Sequence, residues 1–507
     1  MFNGQPKGLY ALALANTGER FGYYTMLAVF TLFIKDNFGF GEGTAGVIYS
    51  TFLMLVYFLP LFGGILADKI GYGKCVTVGI SIMFLGYLFL SIPLGSGTAA
   101  IVAMGAALLL ICLGTALFKG NLQVMVGNLY EDAKYSGQRD NGFSLFYMAI
   151  NIGALFAASA ALGIMNYMQT SWGYSKADSY HFAFGVACVS LIVSILIYFM
   201  FRNTFKHADY NSSKPSASAQ PVQEISKSET KERIVALCLV FAVVIFFWMA
   251  FHQNGSTLTF FAEQYTSQSV SGIETMFFDV WNLVLLILFV YGIFGLFQSS
   301  TSKARTIYGI VMVAAIGGLV AKYLSKPETL GIEAPIFQQF NPAFVVMLTP
   351  VSMAIFGALG KRGKEPKAPL KIGLGMLVAA AAYIIMTVFC MDLPLPETTM
   401  VDGKQVAAHV ADITPNLLII TYLILTFAEL LLSPIGISFV SKVAPPKYKG
   451  MMMGGWFVAT AIGNFLVAIP ALMWGSDLKL IWGVLAAICL VSAAFIFCIL
   501  KKLNKVA

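Results

Sequence analysis

The chain has 507 residues, of which 58% are hydrophobic and only 11% charged, and it carries a formal net charge of +8. Soluble domains are about one quarter charged, so the composition excludes a soluble multidomain protein and points to an all-α polytopic membrane protein. The excess of Lys and Arg is not a nucleic-acid signal, because it sits in loops between apolar segments.

A membrane-crossing helix needs about 20 mostly apolar residues. The first such segment, 9–34, carries Asn16, Glu19, Arg20, Tyr23 and Leu27. Helical spacing puts them on one side. Ionised groups at bilayer depth are costly and usually face a bundle interior or a wet cavity, so this stripe reads as the wall of a solute pathway. A structural ion pair is the competing reading for Glu19 and Arg20. Ala13-Leu14-Ala15 looks like a signal-peptide cleavage site, but no sufficient apolar region precedes it, so the first span is expected to be retained.

Further candidates follow at 43–66, 75–95, 99–126, 141–167 and 180–202. They place Tyr57 on the second span, Lys119 on the fourth, and Tyr147 and Asn151 one turn apart on the fifth. Residues 203–232 then turn Ser- and Lys-rich and read as a solvated linker. Eight spans come after it: 233–262, 277–298, 304–323, 336–358, 369–392, 413–440, 449–475 and 478–500. The seventh span carries Trp248, His252 and Ser256 at helical spacing, with an unperturbed histidine near pKa 6.5 as either a core group or a proton carrier. Asn341-Pro342 lies near the start of the fourth span after the linker, 336–358. Glu429 and Ser433 share a face of the span 413–440, and Trp456 lies on the next. Asp279 and Lys322 fall near the ends of the pair 277–323 and read as interfacial groups.

With the N-terminus cytoplasmic, alternate loops hold the positive charge: Lys69 and Lys74; Lys134 and Arg139; the linker; Lys303 and Arg305; Lys361 to Lys367; Lys442 to Lys449; and Lys501 with Lys502. One orientation then satisfies the positive-inside rule, with fourteen spans and both termini cytoplasmic in a plasma (inner) membrane. The seven cysteines form no CxxC pair and read as buried small hydrophobes, and the four histidines show no metal spacing. No HExxH, GxSxG or Walker loop appears, so neither an enzyme nor a cofactor is expected.

Six spans, a linker and a second set is the layout of the major facilitator superfamily. Gly64-Ile65-Leu66-Ala67-Asp68-Lys69-Ile70-Gly71-Tyr72-Gly73-Lys74 resembles that superfamily's loop between spans 2 and 3. Other motifs resemble the proton-dependent oligopeptide transporters. They are Glu19-Arg20-Phe21-x-Tyr23-Tyr24, Gly114 to Tyr130 with Phe118-Lys119, Phe146-Tyr147-Met148-Ala149-Ile150-Asn151-Ile152-Gly153, Phe340-Asn341-Pro342, Glu429 to Gly436, Met452 to Phe457 and Gly463-Asn464. The resemblance implies two six-helix bundles, 1–202 and 233–507; the extra helix hairpin, 277–323, falls after the seventh span, whereas most bacterial members of the family place theirs between spans 6 and 7.

It further implies import of di- and tripeptides by proton symport through alternating access. Glu429 would hold the peptide amine, Lys119 would face the carboxylate, and Asn151 and Asn341 would bond the peptide backbone. Tyr23, Tyr24, Tyr57, Trp248 and Trp456 would be pocket aromatics, with Ser433 beside them. Glu19, Arg20, Lys119, His252 and Glu429 would carry proton coupling and gating. The partners implied are small peptides, protons and lipid, in a monomer. The residues alone agree: separated opposite charges suit a zwitterion and amides suit a peptide bond.

Three positions depart from the family pattern. Asn16 replaces the first glutamate of ExxER, Leu27 replaces an arginine, and His252 replaces an acid before Gln253. The last two changes together avoid an unpaired buried charge. The alternatives are a relative that carries another small zwitterion or anion, and a non-transporting peptide sensor.

Overall fold

The computed structural model of the chain describes residues 4–132, 134–209, 226–299, 301–401 and 404–506. Residues 210–225, most of the expected linker, lie outside the described residues.

The first half contains α1 (Lys7–Phe38), α2 (Glu42–Phe58), α3 (Pro60–Ile70), α4 (Tyr72–Leu90), α5 (Thr98–Asn128), α6 (Arg139–Trp172) and α7 (Lys176–Met200). α2 and α3 form one span. Pro60, which lacks an N–H, marks the joint between them. The second half contains α8 (Lys227–Phe251), α9 (Thr257–Tyr265), α10 (Val280–Gln298), α11 (Ser302–Leu324), α12 (Phe340–Lys361), α13 (Ala368–Phe389), α14 (Asn416–Val443), α15 (Lys449–Leu466), α16 (Ala468–Leu472) and α17 (Leu478–Val506). Two small antiparallel ribbons cap loops: β1 (Ser269–Ser271) pairs with β2 (Thr329–Gly331), and β3 (Thr398–Val401) with β4 (Lys404–Ala407).

Among the described residues, thirteen helical stretches are long and apolar enough to cross a membrane, and each coincides with an expected span. The remaining expected span is α1, 32 residues long, whose polar stripe dilutes its apolar character. The polytopic reading therefore stands.

Within the first half α1 packs on α6 and α7, and α4 packs on α5. In lipid there is little hydrophobic drive between helices, so close backbone approach does much of the packing. A Cβ at Gly79 of α4 would lie 2.7 Å from the Gly114 carbonyl of α5, and one at Gly153 of α6 would lie 2.6 Å from the Thr17 carbonyl of α1. In the second half α13 packs on α14 and α17, and α8 on α15. The halves meet where α2 crosses α15 and α16, and where α6 meets α12.

Four details differ from the sequence reading. The linker is shorter than 203–232, because α8 starts at Lys227. Ser226 caps it by accepting from Glu229 N at 3.1 Å, and the Glu229–Arg233 ion pair (2.6 Å) supports its polar first turns beyond the apolar stretch. The other edge of the linker is docked: Asp209 accepts from Gly73 N at 2.7 Å, and Asn128 donates to Ala208 O at 2.9 Å. Asp279 and Lys322 pair with each other at 2.7 Å, holding α10 to α11. Of the cysteines, all free, Cys238 and Cys498 are exposed, not buried.

The hairpin α10–α11 stands outside the bundles. Phe297, Ile310, Val313 and Leu324 are exposed along it, as expected of a surface solvated by lipid. Its attachment runs through α12 and through Trp281, which packs on Phe156 of α6 at 5.5 Å.

Candidate functional site

A cavity of about 280 Å³ lies between the two halves. α1 contributes Arg20, Tyr23, Tyr24 and Leu27. α2 gives Tyr49 and Tyr57, α5 gives Lys119 and Gln123, and α6 gives Tyr147 and Asn151. From the second half come Trp248 and His252 at the end of α8, Asn254, Gln338, Asn341 of α12, Glu429 and Ser433 of α14, and Trp456 and Thr460 of α15. All ten residues expected to bind substrate line this one cavity. The sequence reading missed Tyr49, Gln123, Asn254, Gln338 and Thr460. Gln123 stands one turn after Lys119 and Thr460 one turn after Trp456, so helical spacing carried a signal for both. Asn254 and Gln338 sit in short 3₁₀ turns that α-helical periodicity cannot reach.

The two halves supply opposite charge. Lys119 Nζ lies 4.0 Å above the Tyr57 ring centroid and has no carboxylate within ion-pair distance among the described residues. A cation over a desolvated aromatic face is held by about 2 kcal/mol, less than an ion pair at that depth would supply. Glu429, only 8% exposed, accepts from Asn341 Nδ2 at 3.1 Å, and the same amide donates to Thr426 Oγ1 at 3.0 Å. Pro434 in the middle of α14 cannot donate to the carbonyl of Leu430, which loosens the helix beside Glu429 and Ser433. Asn151 Nδ2 donates to Tyr147 O at 3.1 Å, so its carbonyl oxygen is the group left for a ligand.

Glu19 and Arg20 behave differently. Arg20 Nε and Nη2 each donate to a Glu19 carboxylate oxygen at 2.5 Å, and both side chains are buried. Arg20 also stacks over Tyr23 at 4.7 Å and reaches the cavity wall. Glu19 sits behind it and does not line the cavity. Asn16 is buried further back, with its Nδ2 unpartnered.

The expected helical face of Trp248, His252 and Ser256 is only partly formed. α8 ends at Phe251, and His252–Gly255 is a tight 3₁₀ turn before α9. Trp248 and His252 stack, with ring centroids 5.0 Å apart and planes within 18°. Ser256, at φ −126° and ψ −107°, leaves that face and turns towards Gly46 of α2. The Asn254-Gly255 pair at the break is a turn former, which explains why the helix does not continue.

At the end of the cavity nearer the α1–α2 loop, the halves are tied together. Lys35 of α1 bonds Glu263 of α9 at 2.5 Å and Glu42 of α2 at 3.1 Å. Gln264 donates to Glu42 at 2.8 Å. Gln338 donates to Ala28 O at 3.1 Å, and Ser159 to Gln339 Oε1 at 2.9 Å. Among the described residues no group of His, Cys, Asp and Glu is placed to hold a metal.

The family model described as PTR2, POT family, matches residues 74–222 and 322–474. The chain belongs to the POT family. That is a family of transporters, so this protein is a multi-pass membrane transporter and not an enzyme. It is 30% identical to the uncharacterized transporter YclF of Bacillus subtilis, over 96% of this chain and 94% of that protein. It is 27% identical to a di-/tripeptide transporter of Lactococcus lactis subsp. cremoris, over 92% of this chain and 89% of that one. Its fold matches the crystal structure of a peptide transporter POT in complex with sulfate, with a TM-score of 0.75 at 22% identity over 100% and 96% of the chains. It also matches a POT family transporter in complex with 5-aminolevulinic acid, with a TM-score of 0.75 at 19% identity over 99% and 98%. These likenesses give the POT-family fold and agree with the two-bundle layout read from the sequence.

Proposed function

We propose that the protein imports di- and tripeptides by proton symport, its two bundles rocking about the central cavity. The observation that carries this is the pair of unmatched charges: Lys119 on α5 and Glu429 on α14 face one cavity from opposite halves, and neither has an ion-pair partner among the described residues. A peptide zwitterion supplies the missing partners, its carboxylate for Lys119 and its amine for Glu429. Asn151 and Asn341 then lie where they can bond the peptide backbone, and the aromatic walls tolerate varied side chains. Midplane sites between repeats are the usual arrangement in secondary transporters.

The relatives named as peptide transporters support the substrate class. The buried Lys35–Glu263 tie supports a state closed at the α1–α2 loop end, with access from the linker end. The linker end and both termini are cytoplasmic in this reading, as loop charge requires. Because both bundles contribute to the site, a ligand binding the two access states unequally can shift their populations. Glu19, Glu429 and His252 are the titratable groups available for coupling. The fold neighbour bound to 5-aminolevulinic acid favours one second reading, a small non-peptide zwitterion spanning the same two charges. Uptake of labelled dialanine into proteoliposomes, with competition by di- and tripeptides and by amino-acid derivatives, separates the two. Competition by peptides supports the first; competition by the derivatives alone supports the second.

A further inference from the structure

His252 is held in a way the charge pattern does not require. One face of its ring lies on Trp248, Phe251 meets it edge-on at 5.4 Å, and the Tyr57 ring of the other bundle is 6.3 Å away. Its Nδ1 is 2.6 Å from Asn464 Oδ1. Asn464 is fully buried on α15, and its Nδ2 has no partner among the described residues, where its amide serves the imidazole alone. With the amide oxygen turned to the ring, the hydrogen belongs on Nδ1. Nε2 is then a bare lone pair, and it is the nitrogen left for the cavity that His252 lines. Lys119, over the Tyr57 ring, is a full positive charge lining the same cavity.

We propose that Asn464 fixes the tautomer of His252, and that Nε2 takes up a proton when the carboxylate of a substrate arrives beside Lys119, so that Lys119 and His252 clamp that carboxylate from the two bundles. The idea rests on the zwitterion-transport reading above. The proton comes from water in the cavity, and no covalent bond changes. A neutral Nε2 lone pair repels a carboxylate, whereas Nε2–H donates to it. The Nδ1–H bond to Asn464 survives in both states. Tyr57 of α2 is the titratable neighbour of the ring from the other bundle, and the charged groups lining the same cavity are Arg20 of α1, Lys119 of α5 and Glu429 of α14. α15 offers only neutral groups there, and Tyr383 of α13 is turned away to donate to Ala250 O. Asn464 is a positioning residue, since it acts through His252.

The test uses the full chain in proteoliposomes. Inhibition of dialanine counterflow is read across the pH range in which histidine titrates, with dialanine and its C-terminal amide as inhibitors. The affinity for dialanine should rise as pH falls, by up to about tenfold per pH unit, and that for the amide should not. His252→Gln should flatten the dialanine dependence. Asn464→Asp, whose carboxylate accepts the same Nδ1–H and favours imidazolium, should move the midpoint to higher pH. A merely structural Asn464 would alter stability and leave the midpoint in place. ¹⁵N NMR of the wild-type protein, with His252→Gln as the assignment control, should show an Nδ1–H tautomer that becomes doubly protonated on adding dialanine. An Nε2–H tautomer, which the opposite orientation of the Asn464 amide would impose, overturns the proposal. So does a pH dependence that survives His252→Gln. Dialanine uptake with a flat pH profile overturns the clamp alone, whereas no dialanine uptake at all overturns the peptide reading with it.

Discussion

Two regions of this transporter bury charge, and they do so in opposite ways. At the α1–α2 loop end, Lys35 touches two carboxylates, Glu263 and Glu42. In the central cavity, half-buried Lys119 and buried Glu429 have no ion-pair partner among the described residues. A buried charge without a partner is costly, so the first arrangement is complete as it stands and the second is complete only with a ligand. Pairing, more than depth, separates a structural charge from a binding one. Glu19 and Arg20 show the same rule within one helix. They were the most conspicuous charges in the sequence, yet they close on each other with both hydrogen bonds of a bidentate pair.

The largest effect that would sharpen this contrast is at the paired end. Lys35→Met leaves Glu263 and Glu42 largely buried with no cation and removes the ionic tie between the bundles. Breaking such a pair costs about 3–5 kcal/mol, here charged to the closed arrangement. Spin labels across the α1–α2 loop end should report a wider, more mobile separation; an unchanged distance would show that Lys35 is not the tie. Next comes the cavity. Glu429→Gln should leave folding and yield intact but weaken peptide binding by about 2–3 kcal/mol, roughly 30- to 140-fold, as read by uptake and by monodispersity on size exclusion. Normal uptake by that variant would remove its role with the amine.

Glu19→Gln tests whether a paired charge can also work. It should abolish gradient-driven accumulation while counterflow exchange persists. If the variant still accumulates peptide against a gradient, the main proton site is elsewhere and Glu429 leads. The smallest effect belongs to the half-exposed Asp279–Lys322 pair in the outer hairpin. Lys322→Ala should change thermal stability by no more than about 1 kcal/mol and leave uptake unaltered.

The architecture was legible in the sequence because spans are long apolar runs and the bilayer fixes their length. The placement of Lys119, Asn151, Asn341 and Glu429 on one cavity was legible for a related reason: polar groups at bilayer depth have few other places to face. Less legible was anything that depends on where a helix stops. The break after Phe251 sends Ser256 away from His252, and the turn before α12 brings Gln338 to the cavity; neither leaves a period in the sequence. Contacts between distant helices were also out of reach. Lys35, Glu42 and Glu263 lie on three helices, and Asn464 meets His252 from 212 residues away. The Ser226 cap that lengthens α8 leaves a signal in Ser226 and Glu229 three residues apart, but the polar composition of that stretch is also that of a linker.

The central claim is that a peptide zwitterion completes the cavity and is driven by protons. Dialanine uptake into proteoliposomes, with and without an imposed pH gradient, tests it most directly. The account predicts accumulation above the external concentration when the outside is acidic, and only equilibration without a gradient. Uptake indifferent to the gradient, or no peptide flux at all, would contradict it.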